Sequence, residues 1–277
     1  MSRNLLGVYE KSMPARLTFL EKLTAAKQAG FDFIEISIDE TDAKLLRLDW
    51  TAHERKLLVD AMWEAEIPIL TMCLSGNRRF PVGSEDDEIR QTGVEILRKA
   101  IVFARDLGIR IIQVAGYDEY YRESNTRTGA RFLESMMEVV RFAASHGVIL
   151  AFETMETEFM NTVKKAVDVV SSVDSPYLQV YPDLGNITNA ALLYEHDVVA
   201  DLETGRGHIA AMHLKESRPG VFREVPFGEG HVDFPRTLRK AEELGIHMYV
   251  AEFWHVGSPT WENDLADARG FFRSKGL

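Results

Sequence analysis

The 277-residue sequence contains a single cysteine, Cys73, which lies inside the apolar run Ile69-Leu-Thr-Met-Cys-Leu. A disulfide framework within the chain is therefore excluded, a reducing compartment is expected, and the thiol reads as a buried strand residue rather than a nucleophile. Long hydrophobic runs are missing too. None approaches the roughly 20 apolar residues of a membrane span, and the opening Met1-Ser-Arg-Asn-Leu-Leu-Gly-Val-Tyr-Glu has no apolar stretch of signal-peptide length. A cytoplasmic protein with no membrane partner is the expectation. Positive charge is scarce: 32 Lys and Arg stand against 43 Asp and Glu, for a formal net charge of -11. Such a field repels nucleic acid, so no nucleic-acid partner is expected, and a phosphorylated ligand would need a local basic pocket. No GxGxxG follows the first apolar run, which argues against a Rossmann site.

What is present is an alternation. Runs rich in β-branched and apolar residues predict strands at Leu5–Tyr9, Phe33–Ile38, Ile69–Leu74, Ile109–Ala115, Val148–Phe152, Leu178–Tyr181, Ile209–Leu214 and Met248–Phe253. Their continuous apolar character suits a parallel sheet covered on both faces. Between them, amphipathic patterns predict helices at Thr18–Ala29, His53–Ala65, Glu88–Leu107, Gly129–Ser145, Asn161–Ser172, Ala190–Leu202, Phe234–Leu244 and Asn263–Phe272. Gly30, Gly108, Gly147 and Gly245 stand where left-handed C-caps would lead into the next strand. Eight strand-helix units in strict order predict an α/β fold, one closed (β/α)₈ TIM barrel forming a single domain over residues 1–277. The one long irregular stretch, Lys215 to Val232, reads as an active-site loop.

Glu153, Asp183, His213 and Glu252 stand at the carboxyl ends of the fifth to eighth predicted strands. In a barrel those ends converge, and three carboxylates with one imidazole suit one divalent metal; ligand type leaves Zn²⁺, Mn²⁺, Co²⁺ and Mg²⁺ open. The alternative is that each acid merely caps the following helix or joins a salt bridge, but independent capping does not explain four at consecutive strand ends. A metal with open positions can chelate the carbonyl and neighbouring hydroxyl of a ketose, stabilise an enediolate and make a carbon-bound hydrogen removable. Glu153 and Glu252 come from strands separated by two others, so they could flank a substrate as acid and base. Lys215, two residues after His213, points to the same side and is a substrate-contact candidate.

Several long segments carry a family resemblance: Gly7-Val-Tyr-Glu-Lys, Gly30-Phe-Asp-Phe-Ile-Glu-Ile-Ser-Ile-Asp-Glu-Thr-Asp, Arg47-Leu-Asp-Trp, Met72-Cys-Leu-Ser, Arg78-Arg-Phe-Pro, Gly83-Ser-Glu-Asp-Asp, Ala115-Gly-Tyr-Asp, Tyr181-Pro-Asp-Leu-Gly-Asn and Val225-Pro-Phe-Gly-Glu-Gly-His-Val-Asp-Phe. They resemble the bacterial L-ribulose-5-phosphate (L-xylulose-5-phosphate) 3-epimerases over nearly the whole chain. The resemblance implies a xylose-isomerase-like barrel, a divalent metal, a ketopentose phosphate substrate in pentose or ascorbate breakdown, and a homo-oligomer, a dimer. It places the metal set on Glu153, Asp183, His213 and Glu252, with the two glutamates as acid and base. Two positions depart from the wider ketose 3-epimerase pattern. A sugar-contacting His is replaced by Asn186, and an Arg beyond the metal His has no clear match near Pro219.

A phosphate in place of a hydroxyl would account for both departures. Its candidate ligands are Arg78 and Arg79, Arg218 and Arg223, and the backbone amides of Gly228 and Gly230. Glu10, after the first strand, could line the mouth or serve as a salt-bridge partner. Tyr117, Tyr120 and Tyr121 read as packing residues near the same rim. An aldose-ketose isomerase and a non-catalytic sugar-phosphate-binding barrel are the competing readings; a metal nuclease of this barrel type would need more histidines and a basic groove.

Overall fold

The apolar runs form eight strands: β1 (Leu5–Tyr9), β2 (Phe33–Ile38), β3 (Ile69–Leu74), β4 (Ile111–Ala115), β5 (Ile149–Glu153), β6 (Leu178–Tyr181), β7 (Met212–Leu214) and β8 (Met248–Ala251). The structure, a computed structural model, describes residues 4–277; residues 1–3, which open the stretch read for a signal segment and the expected domain, lie outside the described residues. All ladders are parallel, in the order β6-β5-β4-β3-β2-β1-β8-β7. The ends of that order meet through the isolated bridges Val180↔Ile209 and Asp183↔His213, so the barrel is nearly closed. Helices between the strands cover its outside, as in a xylose isomerase-like TIM barrel.

Local chemistry sets most boundaries. Thr18 and Thr51 make capping boxes with Glu21 and Glu54 at the starts of the helices Phe19–Ala29 and Ala52–Glu64. Gly30, Gly108 and Gly147 end their helices in the left-handed region. The structure differs from the sequence reading beside the seam. The expected strand Ile209–Leu214 is ordered as a ladder only from Met212, because its neighbour on that side offers bridges rather than a continuous partner. The helix expected at Ala190–Leu202 is two helices, Leu184–Tyr194 and Val198–Thr204, separated where Glu195 takes φ 52° and Asp197 caps the second.

Two apolar layers hold the barrel. Leu23, Leu97, Ile101 and Val139 belong to the layer between strands and helices. Inside the barrel, Phe33, Ile111, Ala151, Tyr181, Ala211 and Val250 form a second cluster. A Cβ on Gly7 would stand 2.4 Å from the Phe33 ring, so glycine there lets Phe33 fill the lower barrel. Burying such a ring contributes about 1.5–3 kcal/mol. Two residues further along the same inward faces, Phe33 gives way to Glu35 and Ile111 to Gln113. The interior thus changes from an apolar floor to a polar upper end.

Candidate metal centre and active-site pocket

At that upper end the four acidic and imidazole side chains meet. Glu153 is the last residue of β5, Asp183 follows β6, His213 is the centre of β7 and Glu252 follows β8. One ligand atom from each lies within 4.8 Å of the others, and all four residues are buried. His213 Nδ1 is 3.2 Å from Glu153 Oε1, 3.3 Å from Glu252 Oε2 and 3.9 Å from Asp183 Oδ2. Its other nitrogen, Nε2, is 2.6 Å from Glu35 Oε1. A neutral imidazole has one N–H; with that proton on Nε2, facing Glu35, the Nδ1 lone pair points into the carboxylates.

The donor set fits a divalent cation. Three carboxylates crowd one buried point, and Asp183 Oδ2 and Glu252 Oε2 lack an aligned hydrogen-bond partner among the described residues. Lys215 Nζ stands 2.9 Å from the first of these oxygens and 3.8 Å from the second, which leaves the acids in excess. Burial opposes charge on His213, but the Glu35 and Glu252 carboxylates outweigh it and push its pKa well above the ordinary value. The set therefore attracts positive charge at Nδ1, where a cation would replace a proton.

The two outer glutamates differ although they are chemically alike. Burial pushes the Glu153 carboxyl up, with the Glu252 charge adding to it. At Glu252 burial acts in the same sense, but the His213 and Lys215 charges outweigh it and hold the carboxyl low. Environments that separate two carboxyls in this way suit an acid and a base. Burial also works against the Lys215 ammonium, yet the Asp183, Glu252 and Glu153 carboxylates keep it protonated.

Asp183 performs the capping role and still faces the cluster. Its Oδ1 accepts from the Asn186 N–H at 2.7 Å, starting the helix Leu184–Tyr194, while Oδ2 turns to the centre. Asn186 donates from Nδ2 to the Thr154 carbonyl and accepts from Lys215 Nζ at 2.9 Å, so both residues line one pocket with Glu153 and Glu252. Tyr9, Cys73 and Trp254 add its apolar wall. Burial pushes the Cys73 thiol up, so it packs rather than reacts.

Two members of this arrangement escaped the sequence reading. Glu35 Oε2 accepts from Thr71 Oγ1 at 2.8 Å and Tyr181 Oη at 3.0 Å, which fixes the carboxylate that holds His213. Gln113 Nε2 donates to Glu153 Oε2. The available signal was a charged residue in the middle of the inner run Phe33-Ile-Glu-Ile-Ser-Ile, a place where an acid is rarely left without a task.

Other candidates lie elsewhere. Glu10 is fully buried beneath the first loop, receiving Lys22 at 2.9 Å, Lys44 at 2.7 Å and Arg47 at 2.7 Å; it is a structural ion hub and not part of the pocket wall. Arg79 turns outward to Asp42 at 2.7 Å, and Arg218 to Glu229 at 3.1 Å. The Gly228 amide is directed at Glu216 Oε2 (3.0 Å), and Gly230 packs so that a Cβ would stand 2.1 Å from the Ser217 carbonyl oxygen. These glycines build the loop after β7 rather than face a ligand. Glu216 closes that loop by accepting the amides of Ser217, Gly228 and Val232. Arg78 and Arg223 do line the pocket, at its outer end.

Comparison with known proteins gives the family and the fold. The family described as xylose isomerase-like TIM barrel matches residues 23–275. A curated relative from Salmonella typhimurium, named L-ribulose-5-phosphate 3-epimerase UlaE, is 46% identical over 271 residues, covering 98% of this chain and 94% of its own. A solved D-psicose 3-epimerase with D-tagatose from Clostridium cellulolyticum H10 superposes with a TM-score of 0.81 at 17% identity, covering 98% of both chains. A solved L-ribulose 3-epimerase gives 0.77 at 19% identity, covering 99% of this chain and 94% of the other. At such identities the likeness to these two structures is one of fold.

Proposed function

The chain belongs to the xylose isomerase-like TIM barrel family and, at 46% identity over 98% of its length, to the L-ribulose-5-phosphate 3-epimerases; on that premise we propose that it interconverts L-ribulose 5-phosphate and L-xylulose 5-phosphate. The observation that carries the reading is the pair of buried glutamates, one at β5 and one at β8, brought within 3.2 and 3.3 Å of the same imidazole nitrogen.

Glu153, Asp183, His213 and Glu252 would hold one divalent cation. Zn²⁺ and Mn²⁺ suit the set, with Co²⁺ and Mg²⁺ as further candidates; bound there, the ion would supply a Lewis acid for the ketose oxygens and so acidify C3–H. The glutamates then share the proton work. One carboxylate takes the C3 proton, and the other delivers a proton to C3 from the opposite face, which inverts that carbon. Lys215 is placed to donate to a ketose oxygen as negative charge develops on it, and Asn186 orients that ammonium. Tyr9 and Trp254, edge to face at 6.1 Å, exclude water from the reacting end. The single, buried cysteine supports placing the enzyme in the cytoplasm; no helix among the described residues is long and apolar enough to cross a membrane. Exposed Leu192 and Leu193 support a homodimer.

The test is incubation with L-ribulose 5-phosphate in D₂O. Deuterium at C3 of substrate and product is expected, and it should be lost in Glu153→Gln and in Glu252→Gln. Deuterium confined to C1 would replace this reading with aldose-ketose isomerisation.

A further inference from the structure

We propose that Lys44 is a modification site, an amine that accepts an acyl group from a small acyl phosphate. Lys44 lies in the short helix Asp42–Leu45 of the loop after β2, and its ammonium belongs to the cluster around Glu10. That cluster is out of balance. One carboxylate faces three cations, Lys22 at 2.9 Å and Lys44 and Arg47 at 2.7 Å, and among the described residues no second carboxylate pairs with any of them. Two positive charges are left over in a site largely closed to water.

The three cations are not equivalent. Arg47 grips both oxygens of Glu10, with Nη1 2.7 Å from Oε2 and Nη2 2.9 Å from Oε1, and a guanidinium keeps its proton. Lys22 and Lys44 both meet Oε1, which therefore has three donors when Arg47 is included. Lys44 is the more open of the two lysines, its side chain 17% exposed against 5% for Lys22. Its proton is the one the cluster can release. Burial lowers the Lys44 pKa, Glu10 works against the fall, and the Arg47 and Lys22 charges add to it, bringing the amine down to about 8. An amine desolvated beside other cations is activated as a nucleophile in just this way.

The surplus charge also selects the donor. In a chain of net charge -11, a local excess of positive charge draws small anions, and an acyl phosphate carries its negative charge on the group that will leave. In the transfer, neutral Nζ attacks the acyl carbon, the N–C bond forms, the C–O bond to phosphate breaks, and phosphate departs with the bonding pair while the nitrogen gives a proton to water. The resulting amide is uncharged. Glu10 then keeps Lys22 and Arg47, so the transfer relieves the surplus without leaving the carboxylate unpaired. Lys56 and Lys164 offer the contrast: they are 70% and 59% exposed, and each is paired with one aspartate four residues on.

The test is a time course of the intact protein with acetyl phosphate at pH ~8, followed by peptide mass spectrometry, which needs no turnover. At that pH about half of Lys44 is neutral, against about 1 in 250 of an ordinary lysine, so Lys44 should be acetylated faster than Lys56 and Lys164 by about tenfold even after allowance for its burial. An uncharged donor, N-hydroxysuccinimidyl acetate, reports the amine without the attraction for an anion; with it the lead of Lys44 should shrink severalfold. In urea the lead should vanish. Lys22→Met, which removes one surplus cation, should slow Lys44 acetylation by about threefold or more as the amine regains its proton. Acetylation of Lys44 no faster than that of Lys56 and Lys164, or an equal lead with the uncharged donor, would overturn the proposal. So would an unchanged Lys44 rate in a folded Lys22→Met. The donor comparison uses the wild type alone and decides the matter whether or not that variant folds.

Discussion

Replacing Glu35 by Gln isolates what the buried His213 partner contributes. The substitution keeps the shape of the side chain, so Thr71 and Tyr181 retain an oxygen or nitrogen beside their hydroxyls, and both can rotate to suit it. What is lost is the negative charge 2.6 Å from His213 Nε2, and with it the bias that keeps the proton there and the lone pair on Nδ1. Partners of this kind are worth about 10- to 100-fold in metal affinity. That range converts to about 1.4–2.7 kcal/mol. For a chain of this size each kcal/mol moves the melting temperature by roughly 2 °C. The stabilisation that Zn²⁺ or Mn²⁺ gives the wild type should therefore shrink by about 3–5 °C in Glu35→Gln, because the contribution of a ligand to stability follows its affinity. Competition against a chromogenic chelator gives the affinity directly, and thermal melts with and without metal give the second reading. The ¹⁵N shifts of His213 should also move away from an Nε2–H tautomer. An affinity within twofold of wild type, with the melting gap intact, would refute the idea that Glu35 orients His213 for a cation.

Glu10→Gln should cost about 3–5 kcal/mol in urea unfolding, since it leaves Lys22, Lys44 and Arg47 around an uncharged amide. Burial opposes ionisation of Glu10, but Arg47 and the neighbouring lysines hold its carboxyl well below the usual range. Its stabilisation is thus present above an unfolded value near pH ~4.3 and lost as pH falls toward the folded one, so wild type should lose stability on acidification and Glu10→Gln should lose less. Gly230→Ala should raise KM and increase proteolysis of the loop after β7, because the added methyl meets the Ser217 carbonyl oxygen and the Glu216 carboxylate; wild-type kinetics would mean the loop has room to shift. Dialysis against EDTA should abolish C3 exchange, with Zn²⁺ or Mn²⁺ restoring it; full activity after metal removal would dismiss the metal reading.

Much of this architecture was legible in the chain because the barrel repeats a local pattern. β1, β2, β3 and β6 begin and end where their apolar runs do, and glycines in the left-handed region mark the helix ends at Gly30, Gly108 and Gly147. The convergence of Glu153, Asp183, His213 and Glu252 follows from four strand ends in succession. Glu35 was not legible as a partner of His213, since 178 residues separate them and nothing local to β2 states what lies across the barrel. Nor could sequence separate Arg78 from Arg79. They are adjacent in an irregular turn with no periodicity to assign a face, and only the stacking on Tyr120 and the pull of Asp42 send them opposite ways. Glu10 stayed open between mouth and salt bridge because an acid after β1 looks the same whether it faces a pocket or three cations packed beneath it.

The seam between β6 and β7 has a mechanical consequence. Of the eight joints around the barrel it is, among the described residues, the one held by isolated bridges, and one of those bridges pairs Asp183 with His213. The proposed ligand set therefore straddles the thinnest joint, drawing on both of its sides, and an ion seated there would fasten the barrel shut as a clasp fastens a hoop. Occupancy would then be felt first in the opening of that joint, and amide hydrogen exchange at Ala210 and His213, whose N–H groups bond across it to Val180 and Pro182, is where the clasp would register.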